Sequence, residues 1–181
     1  IPPFEKIKFE HYEPAFMQGI DEHQKEIVKI AQNKKEPTFE NTLEALESSG
    51  KTLDKVANVF YNLLGSNTND EFDALAVKMS PLLSAHNDKI LLNKELFERI
   101  KRLKSNEPSL KLSDEQKRLL DETYKRFQRA GANLDQEAMI RLTEINSSLS
   151  SLSVQFDQNV LKETNGYSLI IDDPDDLQGL P

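Results

Sequence analysis

Apolar residues return every third or fourth position along most of this chain, and helix-stopping signals interrupt the returns. That pattern commits the chain to packed helices. The longest series is Leu142, Ile145, Leu149, Leu152 and Phe156, stepping by three, four, three and four. This is the spacing of a seam in a two-helix hairpin, and it predicts a helix over about 134–163. The run "SSLSSLS" lies on the same helix. The Leu spacing through it argues for small residues at close helix contacts, not for low complexity.

Shorter helices precede it. In "HYEPAFMQGIDEHQKEIVKIAQN" (11–33), Glu13 is a cap candidate and Pro14 suits the first helical position. Phe16, Ile20, Ile27 and Ile30 give that helix one apolar face. "EPTFENTLEALESSG" (36–50) holds a helix start at Pro37-Thr38, apolar returns at Phe39, Leu43 and Leu46, and a stop at Gly50. The chain resumes as "KTLDKVANVFYNLL", with Leu53, Val56, Ala57, Phe60, Leu63 and Leu64 along one side. After the loop 65–70, a helix from about Asp70 turns Phe72, Leu75, Ala76 and Met79 inward, and Pro81 predicts a kink or break.

A helix over 93–106 and a connector follow. Ser113 with Gln116 then forms a capping box for a helix striped by Leu119, Leu120, Tyr124 and Phe127. Near the end, "YSLII" (167–171) reads as a short strand, and Asp173-Pro174 as the start of one more turn. No fixed-period repeat and no flexible linker stand out. The expected fold is all-α: a layer of about seven or eight packed helices with a long helical hairpin and one short C-terminal strand.

The charge balance narrows the partners. Twenty-three Lys and Arg against 31 Asp and Glu give a net charge of −8. The basic clusters "KRLK" (101–104) and "YKRFQR" (124–129) interleave with apolar residues and read as solvated helix flanks, so nucleic acid is not an expected partner. No run approaches the ~18 apolar residues of a membrane span. Without cysteine, thiolate zinc sites and cysteine nucleophiles are excluded; cytoplasm and periplasm both remain open. The first residue is Ile1, so the natural start is expected upstream, where a signal peptide would be invisible in this text.

No constellation for catalysis emerges from the residues themselves. A zinc hydrolase helix needs two histidines four apart, whereas His11, His23 and His86 are scattered and read as surface or capping residues. The six glycines form no phosphate loop, and no serine lies in a nucleophile elbow. "DDPDD" (172–176) lacks the spacing of a calcium loop and reads as a solvated helix start. No catalytic, cofactor-binding or metal-ligating residue is assigned.

A resemblance supplies what these residues do not. "PPFEKIKFEHYEPAFMQGIDEH", "EPTFENTLEALESSG", "NVFYNLLGSNTNDEF", "SPLLSAHNDKILLNKELFERI", "RAGANL", "EINSSLSSLSVQFDQNVLKETN" and "DDLQGLP" occur in this order from Pro3 to Pro181. Together they resemble the N-terminal helical region of the thimet oligopeptidase family of zinc metallopeptidases. The likeness is closer to its bacterial branch, that of dipeptidyl carboxypeptidase (peptidyl-dipeptidase) and oligopeptidase A. The resemblance implies a mostly helical enzyme split by a deep channel, acting on short peptides, with zinc held by an HExxH helix and a later Glu. That motif is absent here, so none of the family's ligands or its general base maps onto this chain.

The expectation is therefore that residues 1–181 are a non-catalytic N-terminal domain forming one wall of the channel. Residues 167–181 would begin the connection to the absent catalytic domain. Zinc belongs to the parent enzyme, and this chain alone is expected to be inactive. A second reading is a self-standing helical module that binds peptides or proteins. On the first reading, apolar residues near 167–171 should be uncovered, or covered by self-association.

Overall fold

The computed structural model describes residues 2–172, together with 175, 178 and 179. Among the described residues the fold is all helical, with no strand. Two 3-10 turns, Phe4–Lys6 and Phe9–His11, lead into α1 (Tyr12–Ala31). A wide π-type turn, Phe39–Glu44, runs into the single-turn α2 (Ala45–Glu47). There follow α3 (Lys51–Ser66), α4 (Asp70–Leu91), α5 (Lys94–Asn106), α6 (Asp114–Arg129) and α7 (Gln136–Gly166).

Local chemistry sets most of these boundaries. The Thr38 hydroxyl accepts from the Asn41 N–H at 3.2 Å, and Asn41 Oδ1 accepts from the Thr38 N–H at 2.9 Å. Ser113 and Gln116 close the same reciprocal box on α6. Asn69, Asn93 and Asp135 cap α4, α5 and α7. Gly50 sits at φ 73°, and its N–H donates to the Glu26 carboxylate at 2.7 Å. A Cβ there would lie 2.8 Å from the His23 ring, so this helix stop is glycine's by both conformation and space.

Three expectations need correction. α1 begins at Tyr12, ahead of Glu13, because the Phe9–His11 turn feeds straight into it and the Lys8 N–H donates to His11 Nδ1. Pro14 then lies within the first turn, where an N–H has no intrahelical acceptor in any case. α4 runs through Pro81 without a break. An internal proline costs roughly 3 kcal/mol, and here the packing of α4 against α1 and α7 outweighs it. Among the described residues, six long helices and the single-turn α2 stand where about seven or eight helices were expected. Lastly, residues 167–171 are irregular and form no strand. The turn expected at Asp173-Pro174 lies outside the described residues.

The interior has two clusters. The first gathers Ile27 and Ile30 of α1, Leu43, Leu96 and Ile100 of α5, and Leu120 and Phe127 of α6. The second gathers Tyr12 and Phe16 of α1, Leu53 and Phe60 of α3, and Leu75, Ala76 and Met79 of α4. Gly19 permits the α1–α3 approach: a Cβ there would lie 2.9 Å from the Leu53 Cα. α1 spans both clusters and ties the molecule together.

Candidate functional site

α7 has two faces of different character, and the seam-like one is not the face that packs. The contact with α4 is close and rich in hydrogen bonds, with Val154 packed against the second cluster. The Ser80 hydroxyl donates to the Ser150 carbonyl at 2.9 Å and lies 2.7 Å from the Ser150 hydroxyl. The Asn146 amide donates to Asp88 Oδ1 at 2.8 Å, and the Gln158 amide to the Asp73 carbonyl at 3.0 Å. The pairs 73/158, 80/150 and 88/146 run in opposite directions, so α4 and α7 form an antiparallel pair. Serine is small enough to let two backbones come near, as the sequence pattern predicted for this run.

The expected Leu seam points the other way. At about 100° per residue, Ile145, Leu149, Leu152, Phe156 and Val160 fall on the side of α7 turned from α4. They are 41, 56, 59, 67 and 48% exposed, respectively. The hairpin predicted from this series exists, but the series does not make it. Burying five such side chains against nothing is impossible; α4 took the serine face, and the apolar face was left in water.

The apolar surface continues beyond the helix. Tyr167, Leu169 and Ile170 are each at least 70% exposed, and Ile171 is 40% exposed. An uncovered apolar stretch was expected at 167–171, and the structure has it. Its extension some twenty residues back along α7 was not foreseen.

The histidines divide. His11 takes the capping role expected of it, accepting from the Lys8 N–H. His23 and His86 are not surface residues: they meet edge to face between α1 and α4, with His86 Nε2 3.0 Å from His23 Nδ1. His23 Nε2 lies 3.1 Å from the Ser49 hydroxyl, which itself donates to the Leu46 carbonyl at 2.6 Å. That last bond sets every proton in the chain. Ser49 must accept from His23 Nε2–H, His23 Nδ1 must accept from His86 Nε2–H, and His86 Nδ1 carries no proton. His86 Nδ1 is indeed buried without a partner. Burial, then the neighbouring His23 and Lys89, push the His86 pKa down to about 4, and burial lowers that of His23.

A metal does not fit this pair, because its facing nitrogens are bonded to each other. Among the described residues no group of three or more His, Asp or Glu could hold a metal ion. Arg99 was another residue the sequence reading passed over. Buried at 6% exposure, it donates to the carbonyls of Asn33 and Lys35, to Asn41 Oδ1 and to the Thr42 hydroxyl. It fastens the connection after α1 onto α5, which is a structural task. Among the described residues, the longest run of exposed large apolar side chains is the face of α7 and its extension.

Comparison with known proteins gives that surface a context. The chain is 39% identical over 179 residues to a dipeptidyl carboxypeptidase of Salmonella typhimurium and 36% identical over the same length to one of Escherichia coli. Each alignment covers 99% of this chain. Along its length the chain matches the N-terminal region of these peptidases. An oligopeptidase A of Haemophilus influenzae is 29% identical over 183 residues, covering 100% of the chain. No protein-family model matches the chain. It corresponds to the N-terminal region of its relatives and spans about a quarter of their length, 26% in each of these three. About three-quarters of each of these relatives therefore lies outside the region this chain matches.

Proposed function

We propose that this chain is the non-catalytic N-terminal domain of a zinc-dependent peptidyl-dipeptidase or oligopeptidase, and that it forms one wall of a channel admitting short peptides. The observation that carries the reading is the similarity to dipeptidyl carboxypeptidases over 99% of the chain but only 26% of the relatives. Among the described residues no group of His, Asp or Glu fits a metal ion, and on this reading zinc and the chemistry it supplies belong to the rest of the parent polypeptide. Residues 167–181 begin the connection to it. What these helices contribute is shape. Two packed clusters joined by α1 make a stiff wall, and a narrow channel between such walls excludes folded chains while passing extended ones.

A quenched fluorescent peptide tests this. The parent protein should hydrolyse it in a chelator-sensitive manner, and the 181-residue chain should not, with or without added zinc. A parent protein without turnover would favour the alternative, a helical interaction module.

A further inference from the structure

We propose that the apolar stripe of α7 is a permanent docking seam for a second amphipathic helix, supplied by the part of the parent polypeptide outside residues 1–181. The inference rests on the reading above for the existence of that polypeptide, and on the geometry of α7 for the rest. Leu142, Ile145, Leu149, Leu152, Phe156 and Val160 share one side of the helix over about 27 Å at 1.5 Å per residue. Their alternation of three and four is the register in which side chains of one helix enter the holes of another crossing at about 20°. An extended strand or peptide has a period of two and would meet only some of them.

Charge distribution says the seam is made to be covered. The twelve residues 145–156, "INSSLSSLSVQF", contain no Asp, Glu, Lys or Arg in a chain that is 30% charged. A helix face in permanent contact with water carries charges, whereas the middle of a stable interface is depleted of them. Between Ile145 and Phe156 the positions flanking the stripe are Ser148, Ser153 and Gln155, small or neutral, which leaves room for a close neighbour, while Arg141 stands at its N-terminal end. The exposed Leu169 and Ile170 prolong the same apolar surface past the helix end. Relatives about four times the length of this chain provide the occupant.

Cysteine reactivity reads the seam directly, because the chain has no cysteine of its own. L152C and F156C would each be made in the 181-residue chain and in the parent protein, with K117C, a half-exposed position on α6, as the reference. Maleimide should label L152C and F156C rapidly in the 181-residue chain and at least tenfold more slowly in the parent, with K117C unchanged between the two. A photoreactive maleimide at residue 152, attached under denaturing conditions before refolding, should cross-link to residues beyond 181 spaced three or four apart. Equal labelling rates in the two proteins would overturn the proposal. So would cross-links to a second copy, with protection that grows with concentration, or cross-links to an added peptide. Peptidase activity is measured separately: an inactive parent with a protected seam would remove the functional reading and leave this one standing.

Discussion

α6 and α7 look alike in sequence and differ in what their stripes meet. Both carry large apolar residues at helical spacing, and both begin with a side-chain cap. Leu120 and Phe127 of α6 are at most 1% exposed, packed with Phe97 and Ile100 of α5. Phe156 of α7, of the same type and in the same kind of series, is 67% exposed. Spacing tells which residues share a face; it does not tell whether the chain in hand contains what covers that face. The stripe of α6 is covered within this chain, and that of α7 is uncovered among the described residues.

The largest expected effect breaks the comparison in its simplest form. Phe127→Ala should cost the 181-residue chain about 3–5 kcal/mol, because it empties a closed core. Phe156→Ala should change it by less than ~0.5 kcal/mol, because that ring already faces water. Urea denaturation of both variants measures the difference, and equal losses would remove the distinction between the helices.

The next effect concerns acid. His86 has a folded pKa of about 4 against an ordinary value near 6.5. The unfolded chain therefore takes up the proton first as the pH drops. The stability tied to a neutral His86 is present in full above pH ~6.5, declines below it and is gone below about pH 4, a loss of up to about 3 kcal/mol. Denaturation curves between pH 7.5 and 4 should show this decline. In His86→Met, whose side chain cannot titrate, that part of the slope should disappear.

Ser150→Leu sharpens the account of the serine face. A leucine in place of the Ser80 contact should overpack the α4–α7 approach and destabilise it by about 1–3 kcal/mol, whereas Ser148→Leu, on an exposed position, should be near neutral. The smallest effect belongs to the caps: Ser113→Ala should cost about 1 kcal/mol by freeing the Gln116 N–H at the start of α6.

Much of this was legible in the sequence where the cause is local. Thr38 and Ser113 act through neighbours three residues away, and the pattern of letters displays those neighbours. The continuity of α4 through Pro81 was hidden, because a local penalty is outweighed by packing between helices distant in sequence. His23 and His86 are 63 residues apart, and Arg99 is 58 from Asn41; no spacing rule connects them. The side of α7 that meets α4 was misjudged for a more instructive reason. The apolar series shares one face as the spacing requires, but serine, a weaker signal, made the contact available within this chain.

The central claim is that these helices are scaffolding and that the metal chemistry of the parent enzyme lies elsewhere in its polypeptide. Metal analysis of the purified 181-residue chain, after incubation with zinc and exhaustive dialysis, tests it most directly. The account predicts far less than one zinc per chain. One tightly held zinc per chain, lost on mutation of His23 or His86, would contradict it.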